Sequence, residues 1–140
     1  MSARSKARKQ TLDLLYEADI RGTAAIDILA ARVDNATDPD ARPIREFTRE
    51  LVSGISAQKR KIDELISTYA QGWDMDRLPT VDRNILRLAI YELVWTPDLA
   101  EGIVINEALD LAKVLSTDES ATYIHGVLGK ISLIKESIAR

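Results

Sequence analysis

The side chains that most often perform acid–base or nucleophilic chemistry are scarce in this chain of 140 residues. It has one histidine, His125, and no cysteine. A catalytic histidine needs a nucleophile or an orienting carboxylate within hydrogen-bond reach, but no acid stands three or four residues before His125. The pattern around it is typical of a surface or packing histidine. We therefore expect no catalytic residue, no metal site and no cofactor.

A basic segment at the amino terminus is the first candidate for ligand binding. The first ten residues contain four cations and no acid, although the whole chain has a net charge of −3. The cations are Arg4, Lys6, Arg8 and Lys9. Cations at the start of a helix oppose its dipole, so helix stability does not explain them. Contact with nucleic-acid phosphates would explain them, and so would a solvated tail that favours solubility; the pattern leaves both open.

An aromatic residue near the end of the chain is the second candidate. Unstacked bases of single-stranded RNA lie on aromatic rings or guanidinium planes. Tyr123 stands at the edge of the apolar stripe of the last predicted helix, on the face that carries Gly126 and Lys130. This spacing predicts a partly exposed ring. It either stacks a base or packs as an ordinary boundary tyrosine.

Helices must position these residues, because apolar side chains recur at helical spacing along nearly the whole chain. The pattern predicts a first helix over residues 5–20 that ends before Gly22. Thr23 is suited to cap a second helix that stops near Asn35. The polar residues 35–40 then form a loop.

The third and central helices follow this loop. Pro43 suits the first turn of the third helix, which runs to about Tyr69 either unbroken or interrupted near Gly54 and Ser56. After a connection over residues 72–79, the next segment is apolar on most of its circumference. That distribution is typical of a buried central helix.

The boundaries of the last three helices are marked by caps and a breaker. Thr80 is suited to cap the central helix, and Pro97 ends it. A further helix carries an apolar stripe from Val104 to Leu115, and Thr117 followed by two acids is suited to begin the last one. The sequence thus predicts an all-α fold, a compact bundle of about six or seven helices.

Length and composition fit one domain over residues 1–140, since 46% of the residues are hydrophobic and a core of this size folds without disulfides. Charges interrupt the apolar stretches well below the length that spans a bilayer. The lack of cysteine is compatible with a reducing compartment. We expect a cytoplasmic protein with no membrane segment.

Three stretches together resemble the bacterial NusB family of transcription antitermination proteins. They are TVDRNILRLAIYEL at residues 80–93, IVINEALDLAK at 103–113, and STDES at 116–120 running into YIHGVL at 123–128. With the basic start and RELVSGI at residues 49–55, they extend over nearly the whole length. The combination is far more specific than any one motif.

The resemblance implies two small helical subdomains packed as one unit, and a protein that is not an enzyme. It implies binding to the single-stranded boxA element of ribosomal RNA leader transcripts, in complex with NusE, a ribosomal small-subunit protein. The complex would then join RNA polymerase with other Nus factors and suppress premature termination.

By position, the family's functional surfaces fall on specific residues of this chain. The RNA surface falls on the four amino-terminal cations and on Arg87, Glu119 and Tyr123. The surface for the protein partner falls on Arg77, Asp82 and Arg83. Asp82 also has a purely structural explanation, since an acid in the first turn of a helix is stabilising.

Two positions depart from the family pattern. His125 stands where asparagine is usual, and the amino terminus has lysines where arginines are frequent. Lysine keeps the charge but loses bidentate phosphate recognition, which bears on RNA affinity without the protein partner.

Two alternatives accompany this interpretation. The chain could be a helical protein-interaction module, or a homodimer that occludes the RNA surface. It could also be the RNA-binding domain of a ribosomal RNA methyltransferase. No segment has the strand, glycine loop and helix that would bind a methyl donor, which argues against an intact enzyme of that kind.

Overall fold

Helices make up nearly all of the regular structure in the described part of the chain. The computed structural model describes residues 2–34, 42–70, 72 and 77–138. The helices are α1 (Ala3–Arg21), α2 (Ala25–Asp34), α3 (Glu46–Tyr69), α4 (Thr80–Trp95), α5 (Glu101–Leu115) and α6 (Asp118–Ile134), followed by a 3-10 turn at Lys135–Ser137. The predicted all-α fold is confirmed, and these residues form no strand. None of these helices is both long enough and apolar enough to cross a bilayer.

The chain divides into two compact units, Met1–Ala57 and Gln58–Arg140. The first unit contains α1, α2 and the start of α3. Its core joins buried side chains of these three helices: Leu14, Ala18, Ile28, Leu29 and Val52. Pairing of α1 with α2 covers the apolar face of each helix, which neither could bury alone.

The second unit is built around α4, which packs against both α5 and α6. Nearly every residue of α4 from Asn84 to Val94 is buried, as the apolar pattern predicted. Three charged residues, Asp82, Arg87 and Glu92, are buried with the apolar ones. A buried charge is stable only when it is paired or hydrogen-bonded, so these side chains must have internal partners.

Several predicted helix boundaries are confirmed. α1 ends at Arg21, and Gly22 adopts the left-handed conformation with φ of 68° that glycine tolerates best. α4 ends two residues before Pro97. Thr117 caps α6, since its side-chain oxygen accepts a hydrogen bond from the backbone N–H of Ser120 at 2.9 Å.

Other boundary predictions were wrong. Thr80 is the first residue of α4 rather than its cap, which is Pro79. α2 begins at Ala25, and its first turn bonds to the carbonyl of Ala24, so Thr23 lies outside the helix. Pro43 precedes α3, which begins at Glu46.

α3 is continuous through Gly54 and Ser56, so of the two predicted alternatives the unbroken helix is confirmed. Leu51, Val52 and Ile55 are almost fully buried around that point, and their packing offsets the weak helix propensity of glycine. The predicted loop over residues 35–40 lies outside the described residues. So does half of the predicted connection over residues 72–79, namely residues 73–76.

Candidate nucleic-acid interface

The first turns of α1 hold the four amino-terminal cations. The side-chain oxygen of Ser2 caps the helix and accepts a hydrogen bond from the backbone N–H of Ser5 at 3.0 Å. The first turn contains no acid. The cations therefore stand on an ordered helix, not on a frayed tail, in the described part of the chain.

Two of the cations pack on one aromatic ring. The guanidinium carbons of Arg4 and Arg8 lie 4.7 Å and 5.6 Å from the centroid of the Phe47 ring. Such contacts contribute roughly 0.5–2 kcal/mol each, more when they are desolvated. Arg8 is only 2% exposed. Packing on Phe47 thus gives Arg8 a structural role, while Arg4 remains exposed.

The other two cations differ in their charge partners. Lys9 Nζ forms an ion pair with both carboxylate oxygens of Asp13, at 2.7 Å and 2.8 Å. Lys6 is exposed and has no ion-pair partner among the residues that the structure describes. An exposed i, i+4 pair is worth only about 0.3–0.5 kcal/mol, so Lys9 can readily exchange Asp13 for a phosphate.

Arg87 is held inside the second unit. Its Nε lies 2.8 Å from Oδ1 of Asp63, its Nη2 lies 3.3 Å from Oδ2 of Asp63, and its Nη1 donates to Oδ1 of Asn84 at 2.9 Å. The Arg87 side chain is 7% exposed. In this conformation the guanidinium fork connects α4 to α3, and the predicted contact of Arg87 with RNA stays a prediction.

The start of α6 is connected to α4 through Asp82. The Ser120 hydroxyl donates to Oδ2 of Asp82 at 2.7 Å, and the hydroxyls of Ser116 and Thr117 each lie 3.0 Å from that of Ser120. Asp82 is 3% exposed. Its carboxylate is therefore an internal hydrogen-bond acceptor, whereas Glu119 on the same turn of α6 is exposed.

Tyr123 lies one turn further along α6 and is half-buried, as its position at the edge of the apolar stripe predicted. Its hydroxyl oxygen is shielded from solvent. Burial raises the pKa of Tyr123, and the negative charge of Asp82 raises it further. The phenol therefore stays neutral well above physiological pH. A neutral ring can stack a base without adding a charge that repels phosphates.

The three residues predicted to bind a protein partner differ in exposure. Arg77 is exposed, Arg83 is half-buried, and Asp82 is buried. A partner that docks at the start of α4 can reach Arg77 and Arg83 directly. It meets Asp82, which is 3% exposed, only if the side chains that cover this carboxylate move.

No catalytic or metal-binding group emerges from the described residues. They contain no cluster of three or more histidine, cysteine, aspartate or glutamate side chains suited to hold a metal ion. His125 is exposed on α6, in agreement with its interpretation as a surface residue.

A family model decides the relationship that these features suggest. The NusB family model matches residues 5–133. The chain belongs to the NusB family.

Relatives of this NusB-family chain match it over its full length. The transcription antitermination protein NusB of Saccharopolyspora erythraea is 46% identical over 139 residues, which cover 99% of this chain and 92% of that protein. T. maritima NusB has a solved structure that is 31% identical, with a TM-score of 0.80, covering 98% of this chain and 99% of that one.

A second solved structure contains ligands. It is described as antitermination factors NusB and NusE in complex with dsRNA, and one of its chains is 27% identical to this one with a TM-score of 0.77. The similarity covers 93% of this chain and 96% of that one. Together, these relatives confirm the family resemblance inferred from the sequence.

The predicted RNA-binding residues of this NusB-family chain divide between its two units. The amino-terminal cations lie in the first unit, and Arg87, Glu119 and Tyr123 lie in the second. Within the second unit, α4 and α6 bring Asp82 close to Tyr123. Asp82, which was predicted to bind the protein partner, therefore lies close to Tyr123, which was predicted to bind RNA.

Sequence reasoning missed the partners of the charged residues. Phe47, Asp63 and Ser120 each hold a predicted site residue in place. The role of Ser120 could have been inferred from the sequence, because this residue stands three positions after the capping Thr117. No sequence pattern links Phe47 or Asp63 to its partner, since each is far along the chain from that partner.

Proposed function

We propose that this NusB-family chain is a transcription antitermination factor that binds boxA RNA of ribosomal RNA leader transcripts together with NusE. The complex then joins RNA polymerase with other Nus factors. The observation that supports this most directly is the similarity over 93% of the chain to a structure that contains NusB, NusE and dsRNA. The proposed role is binding, not catalysis.

The RNA surface in this proposal has two parts. Arg4, Lys6 and Lys9 contact phosphates, since they are the amino-terminal cations that are not buried. The half-buried ring of Tyr123 stacks a base, and Glu119 accepts hydrogen bonds from base edges. The protein partner docks against the start of α4 at Arg77 and Arg83.

A titration of fluorescent RNA with and without NusE tests this function. We expect a preference for boxA over a scrambled RNA of the same composition, and tighter binding when NusE is present. Equal affinity for the two RNAs in the presence of NusE would contradict the proposal.

Substitution of the tyrosine ring tests the base contact. Stacking on an aromatic ring is worth about 1–3 kcal/mol, so Tyr123→Leu should weaken boxA binding by about 5- to 150-fold. Tyr16→Leu is a matched control, because Tyr16 is 42% exposed on α1 and has no assigned contact with RNA. Equal affinities for the two variants would remove Tyr123 from the site.

A homodimer that covers the RNA surface is the second candidate function. Ile103 and Val114 are 51% and 80% exposed, and their spacing places them on one face of α5. Exposed apolar side chains of this kind are suited to contact with a second copy of the chain. Light scattering during an RNA titration tests it: RNA should shift the protein to a smaller mass if the dimer occludes the RNA surface.

A further inference from the structure

A groove in the first unit concentrates positive charge in a chain that is acidic overall. One wall is a face of α1 that carries Lys6, Lys9, Gln10 and Asp13, and the other is the segment from Arg42 to Arg45. Arg32 of α2 also lines the groove. The cavity has a volume of about 540 Å³. Among the residues that the structure describes, five cations and one acid line it, whereas the whole chain has a net charge of −3.

Three of these cations lack a charge partner. Lys6, Arg42 and Arg45 are exposed and form no ion pair with any described residue. The other two are paired, Lys9 with Asp13 and Arg32 with Glu17. Exposed like charges repel one another when they lie within a Debye length, which is about 8 Å at physiological salt. A polyanion in the groove removes this repulsion.

The wall that carries Arg42 and Arg45 is fixed by Gln10. The side-chain amide of Gln10 donates to the carbonyl of Pro43 at 3.0 Å, and its oxygen accepts from the backbone N–H of Arg45 at 3.0 Å. Thr48, which is fully buried, also donates to that oxygen at 2.8 Å. The cations therefore stand on a segment that is held in place before any ligand binds, which lowers the entropy lost on binding.

The chemistry of the groove selects phosphodiesters without reading bases. Guanidinium groups bind phosphate oxygens through two parallel hydrogen bonds, and lysine adds a point charge. Contacts of this kind position a nucleic acid but carry no sequence information. Lys6 and Lys9 belong both to the groove and to the phosphate-binding set of the proposed function, so an RNA strand held by them can continue into the groove.

We propose that this groove binds the backbone of a single-stranded RNA segment that flanks boxA, through Arg42 and Arg45 opposite Lys6. This inference rests on the proposed function and extends it. It assigns a second, sequence-independent contact whose new residues, Arg42 and Arg45, lie outside those inferred from the family resemblance. The segment adds affinity and salt dependence, while discrimination stays with boxA itself.

The test compares boxA RNA alone with boxA RNA that carries a single-stranded extension of arbitrary sequence on either end. Anisotropy titrations with NusE present would measure both RNAs over a range of salt concentrations. The double variant Arg42→Gln/Arg45→Gln removes two groove cations. The control variant Arg60→Gln/Lys113→Gln makes the same change in net charge at exposed positions of the second unit.

We expect an extension to tighten binding to the wild type and to the control, but not to the groove variant. Each phosphate contact on a single strand contributes about 0.7 to the log–log salt slope, so losing two contacts should reduce the slope for the extended RNA by about 1.4. Equal slopes for the groove variant and the wild type would overturn the proposal. So would an acidic peptide that displaces the extended RNA as well as RNA itself does.

This design separates failure of the inference from failure of the proposed function. If the wild type shows no preference for boxA but the groove variant still has the smaller slope, the groove binds RNA backbone and the boxA function fails. Both substituted side chains are exposed, and the hydrogen bonds of their segment use backbone atoms, so the groove variant should melt within about 2 °C of the wild type. Arg42→Lys/Arg45→Lys, which keeps the charge, should keep most of the slope.

Discussion

The ion pair between Arg87 and Asp63 allows a decisive test of whether Arg87 is structural. The perturbations are Arg87→Met, which keeps the length of the side chain and removes its charge, and Asp63→Asn, which removes the opposite charge. Each variant leaves one member of the pair without its partner. We expect both to be destabilised in the absence of RNA, and by different amounts.

The magnitudes follow from the burial of the two side chains. Removing one partner of a buried pair costs about 3–5 kcal/mol, because the other charge is left uncompensated. In Arg87→Met the remaining Asp63 is 26% exposed and lies 3.4 Å from Lys59. Water and Lys59 compensate it in part, so we expect a loss of about 2–3 kcal/mol.

Asp63→Asn should cost more than Arg87→Met. It leaves a guanidinium that is only 7% exposed without its opposite charge, although Nη1 still donates to the side-chain oxygen of Asn84. We expect a loss of about 3–4 kcal/mol in the free energy of unfolding. The double variant Arg87→Met/Asp63→Asn removes both charges of the pair, so its loss should fall short of the sum of the single losses by about 1–3 kcal/mol.

Urea denaturation followed by far-ultraviolet circular dichroism measures these losses, and boxA titrations on the folded variants measure RNA affinity separately. A structural Arg87 predicts lower stability with RNA affinity unchanged where the variant is folded. The reasoning fails if both single variants unfold within about 0.5 kcal/mol of the wild type while Arg87→Met loses RNA affinity. Arg87 would then be a ligand contact, as the resemblance implied.

Three further predictions concern helix ends and pH, and thermal or urea denaturation checks each of them. Thr117→Ala removes the cap of α6 and should cost about 1 kcal/mol. Gly22→Ala places a side chain on a left-handed residue at φ of 68° and should lower the free energy of unfolding by about 1 kcal/mol. Gly126→Ala, inside α6 with no atom near its new Cβ, should raise the free energy of unfolding by up to about 1 kcal/mol. Changes of the same sign in the two variants would refute the backbone argument. The hydrogen bond from Lys135 lowers the pKa of Glu101. This carboxylate therefore stabilises the fold above its unfolded-state pKa, and the contribution is lost as pH falls through its folded-state pKa. Glu101→Gln should make the stability less dependent on pH in this acidic range.

Helix order and several ends could be predicted from the sequence because local residues set them. Gly22, Pro97 and Thr117 act on the residues next to them, through φ, ring geometry and capping. The start of α3 could not be predicted in this way. Pro43 suggested an early start, but the backbone there is bonded to the side chain of Gln10, which lies 33 residues earlier. Local pattern carries no information about such a partner.

The helices that carry the candidate site residues were predicted from the sequence, and the internal partners of the charged ones were not. The pattern of α4 correctly predicted a buried helix. Charged residues of a buried helix must be internally paired or hydrogen-bonded. The apolar pattern of α4 therefore already made Arg87 and Asp82 weak candidates for ligand contact. Burial of Arg8 could not be anticipated, because its partner Phe47 stands outside the periodicity of α1.

The hydrogen bonds of Gln10 make one half-buried position unusually intolerant of change. Its amide does what a neighbouring peptide group does in a sheet: it offers one donor and one acceptor to successive groups of an extended segment. Glutamate has the same shape but no N–H, and its charge would face the carbonyl of Pro43. The smallest chemical change at this position would therefore be a disruptive one, and an inserted or deleted residue between Pro43 and Arg45 would leave the amide without one of its two partners.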